Sequence, residues 1–173
     1  MPLSLIRPTP VLEADFCETI AEFRALREDT IESFFSLHNC DFRSYLLQTQ
    51  LMEAGRNLPK GYVASTTYWS VLDNKRIIGI CRFRHDLTPA LRIEGGHIGY
   101  SIRPSERKKG YGTQQLALIL VECRQLGYKE VMITCDWDNI GSYKIIESNG
   151  GVRTGEAVSP TSKKRIYHYW VQL

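Results

Sequence analysis

Arg107-Lys108-Lys109-Gly110-Tyr111-Gly112-Thr113 runs three cations into two closely spaced glycines. Before it, His97-Ile98-Gly99-Tyr100-Ser101-Ile102 alternates apolar Ile98, Tyr100 and Ile102 with His97, Gly99 and Ser101. That is the period of a strand, and Pro104 stops it. After it, Thr113 to Leu126 puts Leu116, Leu120 and Cys123 on one helical face with Ala117 and Val121, and Gly127 suits the position just past a helix end. A strand that ends in a glycine turn and opens a helix aims several backbone N–H groups at one spot, on the positive end of the helix dipole. Glycine leaves room for a ligand to approach and adopts φ > 0 at little cost. The stretch therefore predicts a pyrophosphate cradle.

Working outward, Leu12, Phe16, Ile20 and Phe23 recur at helical spacing, and Asp41 is an N-cap for a second helix whose face is Phe42, Tyr45, Leu46 and Thr49, ending at Gly55. Val63 to Leu72 and Arg76 to Phe83 read as a hairpin around Asp73-Asn74-Lys75. A loop from Asp86 to Gly96 leads to the strand before the glycine turn. Glu130 to Cys135 reads as a buried strand, and Asn139 to Ser148 as a short helix ended by Asn149-Gly150-Gly151. Two closing strands follow, from Gly151 to Glu156 and from Arg165 to Gln172. This order predicts an α+β, mixed α/β sandwich around a central sheet.

With 173 residues and 43% hydrophobic content, the chain suits one compact domain over residues 1–173. No apolar run is long enough to span a bilayer, and Met1-Pro2-Leu3-Ser4-Leu5-Ile6-Arg7-Pro8 does not read as a signal peptide. Cys17, Cys40, Cys81, Cys123 and Cys135 are scattered and odd in number, which fits reduced thiols in a cytoplasm. His38, His85, His97 and His168 do not combine with them at ligand spacing, so no metal site is expected. A net charge of +3 is too mild, and the basic residues too local, to predict nucleic-acid binding. A GxxxxGK[ST] phosphate loop is absent from the sequence.

The motif resembles that of the Gcn5-related N-acetyltransferase (GNAT) family, Arg/Gln-x-x-Gly-x-Gly/Ala, here Arg107 to Gly112. Two further elements carry the likeness. One is Asn139-Ile140-Gly141-Ser142, an Asn opening a helix after the fifth strand with a small residue three positions on. The other is the glycine turn that closes that helix. The clear match spans roughly residues 63 to 152. The resemblance implies a mostly antiparallel central sheet, flanked by helices, whose fourth and fifth strands splay apart. It also implies acetyl-CoA in the wedge between them as cosubstrate. The pantetheine arm would pair with Tyr100, Ser101 and Ile102, and the pyrophosphate would sit on Lys108, Lys109, Gly110, Tyr111, Gly112 and Thr113, with charge from Arg107. Asn139 and Ser142 would face the pantetheine. Sheet edges and C-terminal strands that pair in a homodimer are also in keeping with the family.

The implied reaction is attack of an amine on the thioester, in a ternary complex with an unidentified amine-bearing acceptor. A lysine-like amine has a pKa of about 10.4, so on the order of one in a thousand is neutral near pH 7.4, and a base is useful. Glu94 and His97 stand at the entry to the fourth strand as candidates. Many family members carry a tyrosine seven residues after the Asn as general acid; this chain has Ile146 there, and Tyr143 lies on a similar face. The absent tyrosine leaves a second reading, a non-catalytic acyl-CoA binder or sensor. Tyr68, Trp69 and Trp137 line an acceptor pocket or fill core, and Asp136 and Asp138 attract a cationic amine or solvate a loop.

Overall fold

The computed structural model describes residues 3–26 and 41–173; His38 and Cys40, and Met1 and Pro2 of the leading segment, lie outside them. In chain order the elements are β1 (Leu3–Ile6), α1 (Glu13–Ala25), α2 (Phe42–Glu53), β2 (Ser65–Leu72) and β3 (Arg76–Arg84). Then come α3 (Pro89–Ile93), β4 (Ile98–Ile102), α4 (Tyr111–Gln125), β5 (Glu130–Asp136), α5 (Ile140–Ser148), β6 (Val152–Val158) and β7 (Arg165–Gln172). Among the described residues the strands form one sheet ordered β1-β2-β3-β4 and another ordered β5-β7-β6, and every pairing inside them is antiparallel. The mixed α/β fold with its antiparallel sheet follows the sequence prediction. Two elements do not. Leu3–Ile6 forms an edge strand, too short to show a period, that pairs with β2. Within the expected loop from Asp86 to Gly96, Thr88 caps a one-turn helix by accepting from the Leu91 N–H.

Two apolar layers hold the sheet. On one face Leu12, Phe16, Ile20 and Phe23 of the first helical segment meet Tyr45, Trp69, Val71, Ile77 and Ile80, and Phe16 stacks on Tyr45 and Trp69. On the other face α4 buries Leu116, Ile119, Leu120 and Cys123 against Tyr68, Cys81, Phe83, Ile98, Val131 and Ile133. Ala117 and Val121, expected on that buried face, are exposed, and Gln115 and Ile119 take their place. The buried stripe thus sits further round the helix than the sequence pattern suggests. Tyr68 and Trp69 are both core, pointing to opposite faces as neighbours on a strand must.

Candidate active site

The fourth and fifth strands meet at one end only. Gly96 pairs with Ile133 in an isolated bridge. Beside it the His97 N–H donates to the Met132 carbonyl (2.7 Å), and the Met132 N–H donates to His97 Nδ1 (2.8 Å). Away from this joint β4 and β5 belong to separate sheets, and a cleft in two compartments opens beside them.

The larger compartment, of about 670 Å³, lies at the far end of β4. Its wall is Tyr100, Ser101 and Ile102, its floor is Arg107, Lys108, Gly110, Tyr111, Gly112 and Thr113, and Asn139, Gly141, Ser142 and Ile145 close the opposite side. The helix begins at Tyr111, two residues earlier than the sequence suggests, so Gly110 is its N-cap and Gly112 lies inside its first turn. Gly110 has φ 82°, the left-handed region that glycine adopts without strain, and Lys108 enters the same region at φ 61°. The first-turn N–H groups of α4 have no acceptor within the helix, so this turn offers a row of donors on the positive end of a 15-residue helix. Gly112 serves packing: a Cβ there would stand 2.5 Å from Ile145 Cδ1, so glycine lets α5 lie close beside α4. Asn149 ties the two together by donating to the carbonyls of Thr113 (3.2 Å) and Ile145 (2.9 Å).

The predicted cofactor residues thus come together in one cleft, apart from Lys109. Its Nζ pairs with Glu106 Oε2 at 2.9 Å, and Arg76 holds the other oxygen of the same carboxylate (2.8 Å). Arg107 donates from Nε to the Ile102 carbonyl (3.0 Å) and lies over the Phe23 ring. Asn139 caps α5, its Oδ1 accepting from the Ser142 N–H (3.0 Å). Behind the turn, Arg103 is 2% exposed and gathers three carboxylates of α1: Asp15 (2.9 Å), Glu18 (3.3 Å) and Glu22 (2.7 Å). Glu22 also accepts from the Ser105 N–H (3.0 Å), so α1 is bolted to the chain that leads into the glycine turn.

The smaller compartment, of about 300 Å³, lies toward the joint and is lined by Glu94, Gly95, Ile98, Gly99, Tyr100, Thr134, Cys135, Asp136, Asn139, Ser142 and Ile166. Tyr100, Asn139 and Ser142 border both compartments, and the Tyr100 hydroxyl reaches across to Ser142 Oγ (3.0 Å). Glu94 is held by the Ser159 hydroxyl, which donates to its Oε1 (2.9 Å). Asp136, at the end of β5, has its carboxyl pKa raised: burial is the main cause, and the charges of Asp138 and Glu94 add to it against the pull of Lys164. Sequence marks Asp136 only by its place in the Asp136-Trp137-Asp138 loop; what makes it a site residue is the cleft it borders. Asp138 pairs with Lys164 (3.0 Å), and Trp137 is half exposed outside both compartments.

The other two catalytic candidates sit elsewhere. His97 is buried beside Phe83, Tyr128 and Trp170, and burial, with the nearby Arg92 charge, lowers its pKa to about 4. Its Nδ1 is already occupied by the Met132 N–H. It stands as a neutral pin of the strand joint. Tyr143 packs against the core and borders neither compartment.

The Acetyltransferase (GNAT) domain family matches residues 21–152. The chain belongs to the GNAT acetyltransferases. No curated protein is matched by the sequence. Solved structures of this family share the fold. RimL, a ribosomal L7/L12 α-N-protein acetyltransferase in complex with coenzyme A, superposes with a TM-score of 0.72 at 14% identity, over 100% of this chain and 95% of that one. The Salmonella typhimurium acetyltransferase that modifies the N-terminal serine of ribosomal protein L7/L12 gives 0.67 at 16%, covering 99% and 95%. The microcin C7 self-immunity acetyltransferase MccE, in complex with acetyl-CoA and AMP, gives 0.70 at 14%, covering 99% and 92%. Among the described residues of this GNAT chain, no helix is long and apolar enough to cross a membrane.

Proposed function

We propose that the protein transfers the acetyl group of acetyl-CoA to the amine of an acceptor by direct attack in a ternary complex. The observation that carries this is the cleft itself. One end is a row of backbone donors on a helix N-terminus, and the other holds two carboxylates, Glu94 and Asp136, among the described residues. Relatives with this fold carry acetyl-CoA or coenzyme A, which supports the same cosubstrate here.

The diphosphate lies on the N–H groups from Lys108 to Thr113, where negative charge meets the helix dipole. The pantetheine amides pair with the free edge of β4 at Tyr100 to Ile102, as an added strand would. That course directs the thioester toward the smaller compartment. There Glu94 or Asp136 takes the proton of the incoming ammonium, directly or through water. Asp136 suits the task because its raised pKa makes it a stronger base than an ordinary aspartate. The neutral amine then attacks the acetyl carbonyl; as the tetrahedral intermediate collapses, the nitrogen gives its second proton to water, the C–S bond breaks, and coenzyme A leaves as thiolate. Burial pushes the Tyr100 phenol up, so it keeps its proton and serves as a hydrogen-bond donor beside Ser142. A thiol of pKa about 8.5 departs as thiolate near pH 7.5 at a cost of about 1.4 kcal/mol, so solvent can supply the final proton.

The test is calorimetry with acetyl-CoA, followed by thiol release with a panel of amines. Tight acetyl-CoA binding with turnover of an amine is the expected result. Binding without transfer to any amine would return the protein to the binder or sensor reading, and absence of binding would end both.

A further inference from the structure

Ser159 lies fully buried in the turn between β6 and β7. Its Oγ accepts from the Thr161 N–H (3.2 Å) and the Ser162 N–H (2.9 Å), and stands 2.9 Å from Glu94 Oε1. A serine hydroxyl has two lone pairs and one proton. Backbone N–H groups can only donate, so those of the turn occupy both lone pairs. The proton is left for Glu94, and Oε1 must accept it. A proton on Oε1 would find no acceptor at Ser159. The contact therefore suits the carboxylate form, and hydrogen bonds to a charged acceptor are the stronger kind. The two N–H donors also polarise the hydroxyl, which strengthens its donation.

The backbone around Glu94 is fastened as well. Its own N–H donates to the Ala90 carbonyl, and the Gly95 N–H donates to Thr134 Oγ1 of β5, both at 2.9 Å. The turn that carries Ser159 is closed in turn, with the Ser159 N–H donating to the Lys164 carbonyl (2.7 Å) and the Lys163 N–H donating to the Ser159 carbonyl (3.1 Å). Glu94 is thus tied to α3, to β5 and to the β6–β7 turn at once. These bonds leave Oε2 as the oxygen available to a ligand in the smaller compartment.

Asp136 lines the same compartment under different conditions. No hydrogen bond holds its carboxyl among the described residues; burial, then the charges of Asp138 and Glu94, raise its pKa against the pull of Lys164. One carboxyl is therefore held as a charge, and the other is free to take a proton.

We infer that Ser159 is a positioning residue, which holds Glu94 as a fixed anion that docks the acceptor's ammonium through Oε2 and leaves the proton transfer to Asp136. The inference rests on acetyl transfer as the reaction. The ammonium pairs with Glu94, which keeps its nitrogen within reach of Asp136 and of the thioester. Fixing that approach matters because attack is sensitive to small displacements of the reacting atoms. Asp136 takes the first proton, and the second passes to water as the intermediate collapses.

The experiment titrates ethylammonium chloride, with sodium chloride as the control, into isotope-labelled protein saturated with coenzyme A. The Glu94 carboxyl carbon and the Gly95 amide report the site. A saturable shift at both, absent with sodium, is expected. Ser159→Ala should move the Glu94 carboxyl resonance of the ligand-free protein and weaken ethylammonium about tenfold, through the loss of a hydrogen bond to a charged group. Ser159→Cys, nearly the same shape with a weak donor, gives the same reading should the alanine variant fail to fold. A residue that merely closes the turn would shift the Thr161 and Ser162 amides and leave the Glu94 carboxyl and the ethylammonium affinity as they were. That outcome, an affinity unchanged in both variants, or no saturable shift with ethylammonium, would overturn the inference. Acetyl-CoA with a panel of amines is the separate check on the reaction. No transfer to any amine would overturn acetyl transfer, while the Glu94 resonance would still read its tie to Ser159.

Discussion

Gly110 shows how much chemistry one residue can hold. Its positive φ is what turns the strand exit into a helix start, and nothing lies within 4 Å of where a Cβ would be. Space is therefore open at this position and conformation is not. Gly110→Ala should cost about 1–2 kcal/mol in left-handed strain and leave acetyl-CoA affinity measurable. Gly110→Asp should abolish that affinity, because a carboxylate would meet the diphosphate; calorimetry on both variants checks the pair, and unchanged affinity for the aspartate would remove the diphosphate from this turn. At the base, Glu94→Gln and Asp136→Asn should separate the two carboxylates. The one that accepts the proton should lose about 10²–10⁴ in kcat, the usual worth of a general base. Tyr143→Phe should cost less than about tenfold, since the ring borders neither compartment. A thousandfold loss in stopped thiol release would make it the acid after all.

At the scale of elements, the joint between β4 and β5 depends on a neutral histidine. His97 Nδ1 must stay unprotonated to accept from the Met132 N–H, and burial holds its pKa near 4 against about 6.5 in the unfolded chain. Between those values the unfolded state binds the proton and the folded state does not. Stability from this residue is therefore complete above about pH 6.5 and falls as pH drops toward 4, by at most about 3 kcal/mol. Thermal melts across that range should show the loss, and His97→Gln should flatten it. His85 is also lowered by burial and tilts the curve the same way, so the comparison with the variant is what isolates His97. The Arg103 cluster is a second joint, between α1 and the chain entering the glycine turn. Arg103→Met would leave Asp15, Glu18 and Glu22 facing one another around a buried apolar side chain. A loss of roughly 3–5 kcal/mol is expected, by denaturant titration, as for a buried pair broken on one side.

For the whole molecule, the cleft lies where two sheets touch through a short joint, so a ligand that fills it adds contacts between them. Acetyl-CoA at a hundred times its Kd should add about 2.7 kcal/mol. For a chain of this size that corresponds to about 5–10 °C in Tm. Gly110→Asp should remove the shift, and a full shift in that variant would place the coenzyme elsewhere.

Local pattern was enough to expose the cradle, because every ingredient is contiguous. The alternation of Ile98, Tyr100 and Ile102, the glycines at 110 and 112, and the helical spacing after them are short-range facts that tertiary packing had no reason to overturn. The Asn139 cap and the turn at Gly150 were legible for the same reason. The carboxylate end of the cleft was legible only in part, through Glu94. Glu94, Asp136 and Ser159 lie far apart in the chain, and they meet only because the strands part where they do. His97 looked like a base in sequence and became a pin once burial and the Met132 N–H had claimed it. By itself, then, the sequence determined the family, the mixed fold and the glycine turn that opens α4, since each is written in neighbouring residues and backbone geometry. Only the tertiary structure decided which ionisable groups face the cleft, since burial and cross-strand pairing are properties of segments brought together and of none alone.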